Sequence, residues 1–144
     1  TADDCRPEDL DLDRYYIVGN LTLASSHLRS PQSVSEAVQE FEAGALADTA
    51  ARQQYPHQLL RASVPSDLAR IAEGAGAKQI ITAYIPEGYL RDWINEAAPP
   101  LDAAGISFTE LRRPWDELIW PHATAGFFKV KKNIPNILHN AGLL

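Results

Sequence analysis

Apolar and polar positions in the middle of the chain alternate between a pattern typical of strands and one typical of helices. The run "KQIITAYI", residues 78–85, is apolar and lies between a glycine-containing turn and a proline. Because helical patterns flank it on both sides, we predict a buried parallel strand. "ISFTEL", residues 106–111, alternates in polarity and predicts the next strand. Earlier in the chain, residues 15–23 predict a strand or an extended approach to a helix, and residues 57–63 form a short apolar segment.

The first helical pattern follows a start signal. Ser33 with Glu36 three residues later forms a capping-box sequence. The residues predicted to share one side of this helix are Val34, Val38, Phe41 and Leu46.

Two more helices are predicted between the later strands. In the first, Pro65 lies near the first turn and the glycines at 74 and 76 end the helix. In the second, one face carries Leu90, Trp93, Ile94 and Ala97, and Gly105 ends the pattern. A break is expected at Pro99 and Pro100, because proline removes a backbone donor and clashes with the preceding turn.

Strands that alternate with helices at this spacing are typical of a parallel sheet with right-handed crossovers. We therefore predict an α/β fold of Rossmann-like type, with a parallel sheet between flanking helices in three α/β/α layers. The predicted domain covers residues 15–112. Residues 1–14 are acid-rich and are interpreted as a tail or linker.

The charge is unevenly distributed. The net charge is -6, but residues 1–50 carry ten acids against three bases, whereas residues 111–144 carry five bases against two acids. The basic end is either a solvated surface or a face that meets an anionic cofactor, nucleic acid or a partner domain.

Several functional classes are disfavoured by composition. No run approaches the length of a membrane span, and no signal segment opens the chain. The single cysteine, Cys5, cannot form an internal disulfide, so a cytoplasmic location and no membrane partner are expected. The four histidines lack ligand spacing, so no metal site is expected. The chain contains no methionine, so it is interpreted either as a piece of a longer protein or as a complete product that has lost its initiator.

Ligands of open parallel sheets bind beyond the carboxyl ends of the strands. After residues 78–85, this rule selects as candidate ligand-binding residues Tyr84, Pro86, Glu87 and Gly88. No phosphate-binding signature and no nucleophile elbow is present, and we identify no catalytic residue.

The segment at residues 113–138 combines aromatic and basic residues between prolines. One interpretation is a long connection whose aromatics pack on the sheet edge. The other is a binding segment, because aromatics interleaved with bases suit stacking on a base or flavin-like ring. Its candidate ligand contacts are Trp120, His122 and Lys129, and its candidate interdomain or partner contacts are Phe127, Phe128 and Lys131. As an extended chain, it would place Lys129 and Lys131 on one side.

The order of elements from residue 57 onward resembles the amino-terminal α/β domain of DNA photolyases and cryptochromes. The family's turn-to-helix motif, roughly E-Y-x-P-Y-x-R-x-R-D, is matched at Tyr84, Pro86, Arg91 and Asp92. The "AGI" turn at residues 104–106 and the placement of "AGFFKVKKNIPNIL" are also similar. No match to the family's first strand and arginine-rich turn is found in residues 1–56.

The resemblance implies an antenna-type domain of a light-responsive flavoprotein, acting in DNA repair or signalling and not catalytic alone. Residues 113–144 would then connect to a missing helical domain that holds FAD, and DNA would be met only through that domain. A folate, deazaflavin or flavin antenna chromophore is implied as optional. If the parent is a photolyase, its deoxyribodipyrimidine photo-lyase activity lies outside this chain. The alternative is a stand-alone nucleotide-binding or partner-binding α/β module without light chemistry.

Overall fold

The computed structural model describes residues 1–2, 4, 6–53, 55, 57–61 and 64–144, with only the backbone for residues 57–61. Cys5 and the end of the predicted apolar segment, residues 62–63, lie outside the described residues. The chain divides into two compact units, Thr1–Leu111 and Arg112–Leu144. None of the described helices is both long and apolar enough to cross a membrane.

The first unit alternates strands and helices along the chain. Its elements are β1 (Asn20–Ala24), α1 (Glu36–Gln53), β2 (His57–Arg61), α2 (Asp67–Gly74), β3 (Gln79–Ala83), α3 (Tyr89–Ala103) and β4 (Ser107–Leu111). Short 3-10 turns lie at Pro7–Asp9 and Ser26–Leu28. The turn at Pro7–Asp9 contacts α1, and Leu10 behind it is buried, so part of the predicted tail packs on the domain.

The strands pair in parallel, as the alternation with helices predicted. β1 pairs with β2 in the register Asn20 to His57, and β3 pairs with β4 in the register Gln79 to Ser107. The described strands form two two-stranded sheets and not one continuous sheet. The mixed α/β class and the parallel pairing are therefore confirmed at this coarser level.

One hydrophobic cluster joins β1 to the elements around the second strand pair. Its buried members are Leu23, Leu68, Ala69, Ala72, Ile85, Trp93, Ile94, Ala97, Leu101 and Ile106. Ile80 of β3 and Phe108 of β4 pack against it from the same side of their sheet. The core thus lies between the strands and helices α2 and α3.

The prediction of a parallel strand within residues 78–85 is confirmed, but the prediction that this strand is buried is wrong. The strand is shorter, and Ile81 in its centre is only half-buried. Successive side chains of a strand point to opposite faces, so Ile80 reaches the cluster while Ile81 does not belong to it.

Helix α1 also differs from its predicted form. It begins at Glu36 and leaves Ser33 and Val34 in the preceding segment. Val38 is exposed and Phe41 is 75% exposed, whereas the buried positions are Glu42, Leu46, Thr49 and Ala50. The prediction is confirmed for Leu46, which is 1% exposed, and is wrong for Val38 and Phe41, because the buried face also contains the smaller Thr49 and Ala50 and the hydrogen-bonded carboxylate of Glu42.

Helix α3 continues through the two prolines at which a break was predicted. The buried stripe continues from Ala97 to Leu101 beyond them, and burial of that stripe favours the helix. Asn95 and Glu96, whose carbonyls the prolines cannot bond, are exposed, so water can solvate them. The predicted ends are confirmed, since Gly76 and Gly105 take φ values of 69° and 65° just after α2 and α3.

The second unit is helical, although the aromatic and basic segment was predicted to be irregular. It contains α4 (Pro114–Ile119), a 3-10 turn (Trp120–His122) and α5 (Phe127–Asn140), with Pro135 inside α5. Gly126, with φ 71° and ψ 177°, redirects the chain just before α5. Lys129 and Lys131 therefore lie about 200° apart around a helix axis and do not share a side.

Candidate functional site

A cavity lies beside the carboxyl end of β1, where the chain leaves the strand and later returns as α1. Its volume is about 360 Å³. We refer to it as the β1 cavity; its described lining residues are Ala24, Ser26, His27, Ser33, Val34, Gln39, Glu42 and Ala43. This volume lies near the lower end of the range of ligand pockets, which is roughly 300 to 1,000 Å³.

Glu42 fixes the wall of the β1 cavity. Its side chain accepts hydrogen bonds from the backbone N–H of Ser25 at 2.8 Å and of Ser26 at 3.0 Å. The hydroxyl of Ser26 donates to the other carboxylate oxygen at 2.6 Å. Glu42 is only 4% exposed, and an ionised carboxylate is an acceptor that matches these donors. This arrangement ties the turn after β1 to the middle of α1.

The lining combines apolar walls with a few polar groups. Ala24, Val34 and Ala43 supply the apolar surface, and Gln39 is held by donating from its side-chain amide to the carbonyl of Val34 at 3.0 Å. Among the described lining residues there is no lysine or arginine. Such a cavity suits an uncharged ring system or a hydroxyl-bearing group.

The predicted ligand residues after β3 form a turn at the carboxyl end of that strand. The backbone N–H of Tyr84 donates to the carbonyl of Leu111 at 2.9 Å, which extends the β3–β4 pairing by one bond. Pro86, Glu87 and Gly88 are exposed. Gly88 has φ 142° and ψ -171°, a conformation that is essentially restricted to glycine, and it leads directly into α3.

Arg91 and Glu110 hold this turn in place. The guanidinium of Arg91 binds both carboxylate oxygens of Glu110, at 2.5 and 2.7 Å, and also donates to the carbonyl of Ile85. The backbone N–H of Ile85 donates to Glu110 at 3.1 Å. The hydrogen bond to Glu110 raises the pKa of Arg91, against a smaller opposing effect of burial. Arg91 therefore serves the turn and is not displayed to a ligand.

The segment after β1 and the start of α3 lie next to each other. Arg29 donates from Nε to the hydroxyl of Tyr89 at 3.1 Å, and its guanidinium lies 5.9 Å from the centre of the Tyr89 ring. This contact connects the segment after β1 with the first residue of α3.

The remaining predicted residues lie in the second unit. Trp120 and His122 belong to its 3-10 turn, and the guanidinium of Arg112 lies 5.1 Å from the centre of the Trp120 ring. Phe127 and Phe128 are 65% and 73% exposed, and their rings meet edge to face at 5.8 Å. Lys129 and Lys131 are also exposed. We call Phe127, Phe128, Lys131 and Lys132, which lie on one side of the helix, the α5 surface.

Sequence reasoning found the turn after β3 and missed the β1 cavity. None of the predicted ligand residues is among its described lining residues. Part of the β1 cavity could have been predicted from the sequence. The residues "SSH" directly follow β1, and the rule that ligands bind beyond the carboxyl ends of parallel strands selects those positions. Glu42 had no such signal, because a glutamate in the middle of a helix is normally exposed.

Among the described residues, no group of three or more histidine, cysteine, aspartate or glutamate side chains could hold a metal ion. Comparison with protein-family models, with curated proteins and with solved structures finds no match for this chain.

Proposed function

We propose that this chain is a ligand-binding α/β domain, not catalytic by itself, that holds a small organic molecule in the β1 cavity. The observation that carries the proposal is the position of this cavity between the carboxyl end of β1 and the side of α1. The proposal includes a three-layer, Rossmann-like arrangement in which the two strand pairs lie in the order β2-β1-β3-β4. In that order the connections lead outward from β1 to β2 and outward from β3 to β4. The topological switch point of the sheet would then lie between β1 and β3, near the Arg29–Tyr89 contact.

The resemblance to the photolyase and cryptochrome family suggests what the ligand is for. An antenna-type domain binds a chromophore that absorbs light, and the apolar walls of the β1 cavity fit its uncharged ring system. Ser26, Gln39 and Glu42 would orient the ring, while Ala24, Val34 and Ala43 would exclude water from it. FAD, in this proposal, belongs to a helical domain of a longer parent chain, which is also the route to DNA.

The second part of this proposal concerns the α5 surface. The helical FAD-binding domain of the parent chain would dock on it. Exposed aromatic side chains are enriched at interfaces and rarely cluster elsewhere on a surface. Lys131 and Lys132 add positive charge beside Phe127 and Phe128. Trp120, with Arg112 stacked over it, and His122 lie in the preceding turn and would flank the contact.

The second candidate is a stand-alone nucleotide-binding or partner-binding module. It is favoured by the β1 cavity itself, because a site of this kind needs no second domain to bind a ligand. Both candidates predict binding in the same place. Only the antenna-type candidate predicts a ligand with the near-ultraviolet or visible absorption band of a folate, deazaflavin or flavin.

One experiment separates the two candidates. The protein is purified in dim light and heat-denatured, and the absorption spectrum of the released material is recorded between 300 and 500 nm, roughly the range of folate and flavin rings. A folate, deazaflavin or flavin band supports the antenna-type domain. A colourless extract, together with a thermal shift on adding adenosine and none on adding riboflavin, supports the stand-alone module instead. A colourless protein that responds to neither compound contradicts ligand binding in both forms.

A further inference from the structure

The residues that line the β1 cavity also indicate the charge of the ligand that fits it. Glu42 contributes a carboxylate to the wall, and the described lining residues include His27 but no lysine or arginine. The hydrogen bonds that Glu42 accepts come from Ser25 and Ser26, which belong to the protein and not to a ligand. The negative charge is therefore fixed in place before any ligand arrives.

Parallel α/β folds commonly bind phosphates near the end of the first strand, using a glycine-rich turn and a helix amino terminus. This chain has no glycine-rich turn there, and the first turn of α1, which follows the lining residues Ser33 and Val34, carries the acidic side chain of Glu36. The turn after β1 reads "SSHLRSPQS" and contains no glycine, and the backbone N–H groups of Ser25 and Ser26 point at Glu42. The donors that would bind a phosphate in such a fold are already occupied by a carboxylate of the same chain.

We propose that the β1 cavity selects against phosphorylated ligands and takes the uncharged form of its ligand, a nucleoside-like or heterocyclic compound that bears hydroxyl groups. This inference rests on the proposed ligand-binding function and adds to it the class of molecule. A phosphate placed in the cavity would lie close to Glu42 in a partly desolvated site, where like charges repel strongly. Ser26, Ser33 and Gln39 offer partners for neutral donors and acceptors instead.

The test uses two series of probes that share a ring system and differ only in phosphate: adenosine, AMP and ATP, and riboflavin and FMN. Dissociation constants are measured by calorimetry on the full chain at neutral pH. In the series that binds, the unphosphorylated compound is expected to bind most tightly, with each phosphate raising the Kd by about tenfold or more. An equal or lower Kd for AMP, ATP or FMN overturns the inference and leaves the ligand-binding function standing.

A variant that adds a positive charge tests whether electrostatic repulsion causes the selection. It keeps Glu42, because Glu42 holds the turn after β1 in place. Ser33→Lys places a cation on the exposed rim of the β1 cavity, and Ala37→Lys places one on α1 outside it. Ser33→Lys is expected to lower the ratio of the Kd for AMP or FMN to the Kd for the unphosphorylated compound by about tenfold. If Ala37→Lys has the same effect, the selection comes from the net charge and the inference is wrong.

Failure of the proposed function gives a different result. If no compound of either series binds, and the purified protein releases nothing on denaturation, both the inference and the ligand-binding function are refuted. If either series binds, only the order within that series decides the inference.

Discussion

At the scale of single residues, the partly buried carboxylate of Glu110 and the buried carboxylate of Glu42 have different roles. Glu110 is paired with Arg91, and both side chains are 18% exposed. Glu42 is held instead by the backbone N–H groups of Ser25 and Ser26 and by the hydroxyl of Ser26. The first carboxylate stabilises a turn, while the second lines the β1 cavity.

The Arg91–Glu110 pair is expected to contribute strongly to stability. Arg91→Met leaves Glu110 partly buried without its cation, so we expect a loss of about 3 kcal/mol in the free energy of unfolding. Glu110→Gln should cost a similar amount, and the double variant should cost clearly less than the sum of the two. Urea unfolding of the four proteins measures this coupling.

An exposed ion pair serves as the control for this double-mutant cycle of Arg91 and Glu110. Arg70 lies 3.0 Å from Asp67 with its side chain 69% exposed, so Arg70→Met should cost less than about 1 kcal/mol. Additive costs for Arg91→Met and Glu110→Gln would contradict a direct interaction between the two side chains.

At the scale of elements, packing overrode local preference in two helices. α3 passes through Pro99 and Pro100 because its buried stripe continues to Leu101. α1 turns the aromatic side chain of Phe41 to the outside and buries Glu42. In both helices tertiary contacts determined which residues are helical and which face is buried. A local sequence pattern does not show these contacts.

The proline in α3 gives a prediction at this scale. Pro99 is exposed, and its missing N–H leaves the carbonyl of Asn95 without a helical partner. Pro99→Ala should therefore stabilise the protein by about 1 kcal/mol, which is less than the roughly 3 kcal/mol helix preference, because alanine also gives the unfolded chain more freedom. Thermal unfolding measures the change. A lower melting temperature would mean that the helix requires the proline geometry at this position.

Much of the element order could be predicted from sequence, whereas the site could be predicted only in part. The strands at residues 78–85 and 106–111 and the glycine ends of α2 and α3 follow from short-range patterns, and these predictions held with small shifts at the ends. The helix at residues 127–140 was missed because Pro135 and the flanking aromatics suggested an irregular segment. The β1 cavity needs Glu42 beside Ser26, a contact across 16 residues that no local pattern shows.

At the scale of the whole molecule, the two units carry different kinds of surface. The first contains the parallel strands and the β1 cavity, and the second displays the α5 surface. Residues 111–144 hold five bases against two acids, although the chain as a whole is acidic. We interpret this difference as a division of roles, with ligand binding in the first unit and docking in the second.

The α5 surface predicts a separation of stability from binding. Phe127→Ala and Phe128→Ala should each change the free energy of unfolding by less than about 0.5 kcal/mol, because both rings are mostly exposed. Ile137→Ala, at a buried position of the same helix, is the matched control and should cost about 2 to 4 kcal/mol. Calorimetric unfolding distinguishes the cases. A cost of several kcal/mol at Phe127 or Phe128 would place these rings in a core and remove the docking proposal.

The central claim is that the β1 cavity is the ligand site, and a cavity-filling substitution tests it most directly. Ala43 lines the cavity, whereas Ala47 is exposed one turn later on α1. With adenosine and riboflavin as probes, Ala43→Phe is expected to weaken binding by at least about tenfold, because the added ring occupies the cavity, while Ala47→Phe leaves the Kd unchanged. Unaltered binding in a folded Ala43→Phe protein would contradict the account and place the ligand elsewhere.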